Sequence, residues 1–299
     1  MIFGQDANRE SLRDAIFTVN DYSLLLLELA LNRFKYESTP PGIDTRYLEI
    51  QLLTNGIGIC FENKDNSGPY SIERFPFLSL GVANSYRMDV YGEPINRGAV
   101  GIDYSISGLT PYNSVFFYNN KTRTGNIAML NWYAQRMYDA TTAADTNMGQ
   151  QKFPVIVKAP KKMQLAFKNA VKKWIMGQPF ILGDDKTGPE LKDFECLNLN
   201  IPYIADKAFD YNRALWNECL TRLGIDNLYN DDKKERMITG EVEAQKESVN
   251  IYKAAYLDER KKAVDKFNEL FGTDWKVEWN SEVNKLGDLY NQAERPSEV

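Results

Sequence analysis

Tyr203-Ile-Ala-Asp-Lys-Ala-Phe-Asp-Tyr-Asn-Arg-Ala-Leu-Trp-Asn-Glu-Cys-Leu-Thr-Arg-Leu-Gly224, directly after Pro202, is the stretch that decides the fold class. Leu215, Trp216, Cys219, Leu220 and Leu223 recur at three- and four-residue steps, which makes one face of a helix apolar. Pro202 suits its start and Gly224 its stop. A helix over residues 203–223 rises about 32 Å, and such an element needs other long helices to pack on.

Those helices are found on both sides. Residues 11–36 predict a long helix, with Leu12, Ile16, Val19, Leu26, Leu29 and Ala30 at helical steps, Ser11 or Asn8 as cap, and Thr39-Pro-Pro-Gly42 as stop. Residues 45–53 predict a shorter one ending at Asn55-Gly56. From 57 to about 118 the texture turns to β-type runs at 57–61, 86–91, 100–106 and 114–118. Residues 126–143 return to helix, with Ile127, Leu130, Tyr133, Ala134, Met137 and Tyr138 on one face.

Next comes a strand at 154–157, a basic helix over 161–176 ended by Gly177, and a second strand at 179–182, a β-α-β insertion between long helices. Beyond Gly224, residues 225–245 are polar and turn-rich. A helix over 247–271 then closes at Gly272, and a strand follows at 275–279. The expected class is α+β, predominantly helical, with a small β-rich lobe set between long helices.

Composition excludes several functions. With 299 residues, 43% hydrophobic and 26% charged, the chain has the means to bury a core. Histidine is absent, which removes Ser-His-Asp and Cys-His chemistry and imidazole metal sites. Cys60, Cys196 and Cys219 are odd in number and widely spaced, so they read as buried reduced thiols. Gly177-Gln-Pro-Phe-Ile-Leu-Gly183 is one residue too long for a phosphate loop, and Asp184 stands where its lysine belongs. No cofactor, metal site or catalytic residue is expected. The longest purely apolar run, Leu24-Leu-Leu-Leu27, is far short of a membrane span. Met1 to Arg9 lacks a basic stretch leading into an apolar one, so the chain is expected to stay inside a cell.

Charge is unevenly placed. Residues 152–192 hold nine lysines against three acids, a local +6 that leaves −11 on the rest of a chain whose net charge is −5. A basic lobe on an acidic body suits contact with nucleic acid at one place only. Lys158, Lys161, Lys162, Lys168, Lys172 and Lys173 form its candidate face, although the wet side of an amphipathic helix is an equal reading.

Tyr36-Glu-Ser-Thr-Pro-Pro-Gly-Ile-Asp44, Ala214-Leu-Trp-Asn-Glu-Cys-Leu-Thr-Arg-Leu-Gly-Ile225, Lys233-Lys-Glu-Arg-Met-Ile-Thr-Gly-Glu-Val242, Asn268-Glu-Leu-Phe-Gly272 and Lys276-Val-Glu-Trp279 resemble the upper-collar connector, or portal, proteins of small short-tailed bacteriophages with protein-primed DNA. The likeness keeps order and spacing from about residue 17 to 283. It implies a ring of twelve subunits at one capsid vertex, a virion location after assembly in the host cytoplasm, and a channel for packaging and ejecting double-stranded DNA. It further implies partners: further copies of the chain, DNA, capsid and scaffolding proteins, a packaging ATPase and a lower collar or tail protein. It implies neither a membrane nor enzymatic activity.

Mapped onto this sequence, the resemblance implies an N-terminal stem helix and proline turn at 1–54, a wing at 55–125, a second stem helix at 126–150, a basic clip at 151–200, a third stem helix at 201–224, a channel loop at 225–246, and a C-terminal wing and crown at 247–299. It places Lys207 on the channel wall and Lys233, Lys234 and Arg236 in the loop, where Asp231, Asp232 and Glu235 offset them. The family's second channel lysine is replaced by Asn198. Met1 to Arg13 holds only Arg9 and Arg13, balanced in number by Asp6 and Glu10, so binding of a packaging RNA is not supported. Two other classes stay open at this point: a metal-dependent nuclease using Asp184, Asp185, Asp231 or Asp232, and a monomeric nucleic-acid-binding adaptor using the lysines of 152–192.

Overall fold

The computed structural model describes residues 18–66, 69–83, 89–91, 94–152, 155–158, 195–198, 202–226 and 239–283. Along these the chain forms α1 (Val19–Leu31), β1 (Phe34–Glu37), α2 (Thr45–Asn55), β2 (Ile57–Glu62), β3 (Phe77–Val82), β4 (Arg97–Val100), β5 (Ser105–Leu109) and β6 (Ser114–Tyr118). There follow α3 (Ile127–Lys152), β7 (Val155–Lys158), β8 (Glu195–Asn198), α4 (Ala205–Leu223), α5 (Thr239–Phe271) and β9 (Lys276–Trp279). The mixed class with antiparallel sheets agrees with the sequence reading. Two compact units divide the chain, Met1–Asp139 with Tyr211–Val299, and Ala140–Asp210.

In the larger unit, α1, α3 and α4 share one core. Tyr22, Leu26, Leu29 and Ala30 meet Leu130, Tyr133, Ala134 and Met137, and both sets meet Leu215, Trp216, Cys219, Leu220 and Leu223. The α4 stripe is the one read from its spacing. Cys60 and Cys219 are buried free thiols, and burial pushes the Cys219 thiol up to about 12.

The five-stranded sheet runs in the order β5-β4-β3-β2-β6, with each neighbouring pair antiparallel. Alternation splits its side chains between faces. Cys60, Val115 and Phe117 pack with Leu48 and Leu52 of α2 and with Tyr256, Val264 and Phe267 of α5. Ile59, Phe61, Leu78, Ala99, Leu109 and Phe116 cluster on the other face.

The structure corrects four sequence expectations. The first helix does not run to residue 36. It starts at a capping box in which the Thr18 hydroxyl and backbone N–H both donate to the Asp21 carboxylate, at 2.7 and 2.6 Å. It ends at Asn32, whose side-chain amide donates to the Glu28 carbonyl at 2.9 Å. The carbonyls that a longer helix would use are taken elsewhere: Ala30 by Arg33 Nε at 2.9 Å, Asn32 by the Asn280 amide at 2.9 Å, and Arg33 by the Asn280 backbone N–H at 2.8 Å. Residues 34–37 become β1, paired with β9 in the register Phe34 to Trp279. The proposed caps Ser11 and Asn8 lie outside the described residues.

Second, β3 fills a place where no strand is expected. Ser79 and Gly81 interrupt its apolar pattern because α2 lies close by there. The Ser79 hydroxyl donates to the Asp44 carbonyl at 2.9 Å and accepts from the Asp44 N–H at 3.0 Å, and a Cβ on Gly81 would stand 2.7 Å from Gln51 Oε1.

Third, 100–106 is the end of β4, a turn and the start of β5 rather than one strand, and 89–91 is not extended, while 84–88 lies outside the described residues. Fourth, α5 starts at Thr239 instead of 247, so the expected channel loop is helical over its last part. That first stretch is rich in good helix formers (Glu, Ala, Gln, Lys), so it forms helix without an apolar stripe to announce it. Its 33 residues rise about 50 Å.

In the smaller unit, β7 pairs antiparallel with β8. The expected strand at 179–182 and the basic helix at 161–176 lie outside the described residues.

The end of α4 is tightly specified. Gly224 donates to the Thr221 carbonyl at 3.0 Å and Ile225 to the Leu220 carbonyl at 2.9 Å, a Schellman pair closed by Gly224 at φ +78°. A Cβ on Gly224 would meet the Lys253 backbone of α5 at 2.9 Å. Gly224→Ala is expected to cost about 1–3 kcal/mol for the left-handed backbone, with a further loss from that approach. Gly272, also left-handed at φ +66° but with nothing within 4 Å, supplies the control. In denaturant unfolding Gly272→Ala should lose distinctly less stability than Gly224→Ala.

Candidate nucleic-acid and subunit interface

Lys207 is exposed on α4, in its first turn, one residue after Asp206 and three before Asp210, both also exposed. It makes no ion pair among the described residues, so its ammonium is free to meet a solvent-borne anion. The start of α4 is pinned from α3: the Asn147 amide donates to the Pro202 carbonyl at 2.9 Å, and the Ile204 N–H donates back to Asn147 Oδ1 at 3.0 Å. Tyr203 donates its hydroxyl proton to Asp206 at 3.1 Å, which holds its phenol above the ordinary tyrosine pKa.

The other expected cations divide in two. Lys158 lies on β7 opposite Glu195 of β8. Lys161, Lys162, Lys168, Lys172 and Lys173, with Lys233, Lys234 and Arg236, lie outside the described residues, as do the acid pairs Asp184-Asp185 and Asp231-Asp232. Among the described residues no group of three or more metal-ligating side chains converges, and no helix is long and apolar enough to cross a membrane.

The chain just past α4 is held from beneath by a charge cluster with no local signature in sequence. Arg33, fully buried, donates from one NH group to the Leu223 carbonyl at 3.2 Å and stacks over the Tyr256 ring at 4.5 Å. Burial brings its guanidinium down to about 10. Beside it Arg260, also fully buried, clasps Glu49 with two bonds of 2.8 and 2.7 Å and donates to the Asn119 and Tyr256 carbonyls. The Tyr36 hydroxyl adds a third donor to Glu49 at 2.5 Å. Burial pushes the Glu49 carboxyl up, but Arg260 and these hydrogen bonds outweigh it and leave the group below the ordinary glutamate value. The cluster ties α2, β1, α4, the end of β6 and α5 into one body.

The outer helix faces carry apolar side chains that a solitary subunit leaves in water. Leu24 on α1 is 54% exposed, Trp132 on α3 48%, and Tyr211 on α4 46%; Ile251 and Tyr252 of α5 are exposed as well. Large aromatics on the wet face of a helix mark contact surfaces more than they mark cores. Sequence reading missed Trp132 because it placed that helix face only by its buried members.

A family model described as Phage Connector (GP10) matches residues 6–284. The chain belongs to the phage connector family. Its role is that of a portal, in the head-tail connection and the DNA channel, and the family is structural rather than enzymatic. Connectors self-assemble into rings and associate with capsid and tail at the capsid vertex of the virion. Among solved structures, this connector is similar to the portal in the portal and tail of native bacteriophage P68, at 17% identity and a TM-score of 0.45 over 98% of this chain and 99% of that one. It is also similar to an HK97-family phage portal protein from Corynebacterium diphtheriae, at 10% identity and a TM-score of 0.43 over 98% and 100%.

Proposed function

We propose that copies of this chain close into a ring, twelve by the family resemblance, whose bore passes double-stranded DNA into the head during packaging and out at ejection. The family match across residues 6–284 carries this reading. The charge balance supports it. A body at −11 outside residues 152–192 lets a polyanion slide, since each phosphate neutralised by a fixed cation holds DNA with a salt-dependent affinity. Lys207, without an ion pair among the described residues, is proposed as a single ring of cations on the channel wall. Lys233, Lys234 and Arg236 are proposed as a reversible contact with DNA, and Lys158, Lys161, Lys162, Lys168, Lys172 and Lys173 as the clip face toward motor and tail.

In this scheme residues 1–54, 126–150 and 201–224 supply the stem, 55–125 and 247–299 the wing and crown, 151–200 the clip and 225–246 the loop. Work comes from a separate packaging ATPase, and scaffolding, capsid and lower-collar proteins are the further partners.

Negative-stain images of the purified protein test the reading. Rings with an axial hole of at least about 20 Å, the width of a DNA duplex, are expected; a monodisperse monomer at micromolar concentration overturns it and favours the adaptor.

A further inference from the structure

A ring of identical subunits joins two different surfaces of each copy at every contact, because head-to-tail association is heterologous. The larger unit offers two different exposed surfaces around the α1/α3/α4 core, one on α1 and one where α3 meets α4. On α1, at 100° per residue, Leu24 points nearly straight away from the buried stripe of Tyr22, Leu26, Leu29 and Ala30, and Glu28 follows one turn later on the same exposed ridge. Between Val19 and Leu31, α1 carries Asp21 and Glu28 and no cation.

At the second surface α3 and α4 meet at an exposed seam. There the Arg136 guanidinium lies 4.4 Å over the Trp132 ring and donates to the Tyr211 hydroxyl at 3.2 Å. Arg136 has aromatic partners but no carboxylate among the described residues. Each ridge therefore presents the same pattern, an exposed apolar side chain and, four residues on, a charge. The sign is negative on α1 and positive on α3.

We infer that the Trp132-Arg136-Tyr211 seam of one copy receives the Leu24-Glu28 ridge of the next, Leu24 seating against the aromatic pair while Glu28 reaches Arg136. The inference rests on the ring reading and adds to it the two faces that meet. Glu28 and Arg136 are exposed in the single chain, and within it their exchange gives up only the Asn32 amide bond to Glu28 Oε1 at 2.9 Å and the contacts of Arg136 with Trp132 and Tyr211. The aromatic pair supplies the apolar anchor, and the charge pair sets register and rejects the reverse approach.

Charge exchange tests it. Glu28→Arg alone and Arg136→Glu alone should each lower the ring fraction about tenfold at a fixed subunit concentration, read by sedimentation velocity, because each places like charges together. The doubly exchanged protein should return to near the wild-type ring fraction. The unfolding midpoints of the separated subunits should stay close to wild type in all three.

If wild type forms rings while the single exchanges assemble equally well, or the double fails to recover, the two faces are wrong and the ring reading stands. Wild-type protein that forms no ring overturns both.

Discussion

Arg260→Leu is expected to lower the unfolding midpoint by roughly 10 °C, the largest stability loss of any single exchange proposed for this chain. Removing one partner of a buried ion pair costs about 3–5 kcal/mol, because the partner left behind has neither water nor a counter-charge. Here that partner is Glu49, 3% exposed, and the same exchange also strips the Asn119 and Tyr256 carbonyls of a donor. Replacing both members, Glu49→Leu with Arg260→Met, removes the two charges of the pair together, leaving Arg33 as the buried cation of the cluster, and should recover part of the loss. Equal loss in the single and double variants would show that the pair matters only through packing.

The pH dependence carries a sign of its own. Glu49 sits below its unfolded value of 4.5 when folded, so its stabilisation is fully present above that pH and is lost as pH falls through the folded value. In Arg260→Leu the orphaned carboxyl is pushed the other way, because its main counter-charge is gone and burial outweighs what the Tyr36 hydroxyl and the more distant Arg33 still supply. The gap in midpoint between wild type and variant should therefore be small at acid pH and open as pH rises through about 4.5. A gap that stays constant across that range would mean that Glu49 is not the charge at stake.

These residues show where sequence reading reaches its limit. The stripe on α4 was legible because five apolar residues repeat on one helix and its two ends carry Pro202 and Gly224. The α2 stop at Asn55-Gly56 was legible for a similar local reason, with Gly56 left-handed at φ +78°. The ion pair was not, since Glu49 and Arg260 are 211 residues apart and nothing local links them. One signal was available: Arg260 stands on the apolar stripe of α5, one turn after Tyr256 and one before Val264, where a charge is tolerated only with a partner.

The strand at Phe34–Glu37 was hidden by its neighbour. Leu29, Ala30 and the helical steps before them extend without a breaker until Pro40, and only the pairing with Lys276–Trp279 and the capture of the Ala30, Asn32 and Arg33 carbonyls turns the chain out of helix. Long-range contacts decide such a boundary, and a single sequence does not display them.

Replacing Lys233, Lys234 and Arg236 together by alanine is expected to leave ring formation intact and to sharply reduce the yield of filled heads. Residues 231–236 hold three cations and three acids, so the stretch is neutral as it stands and carries −3 in the variant. Multiplied around a ring, that change would convert the proposed weak, reversible phosphate contact into repulsion of a polyanion. The segment leaves α4 from a fixed point, because the Schellman pair, the buried Ile225 and the Arg33 bond to Leu223 O hold the chain there. Ring integrity read by sedimentation and DNA retention read by the fraction of filled heads are therefore separable measurements. Lys233→Arg with Lys234→Arg keeps the charge and should keep the heads filled. Retention in the alanine variant equal to wild type would move the DNA contact off this loop and leave Lys207 of α4 as the cation of the bore.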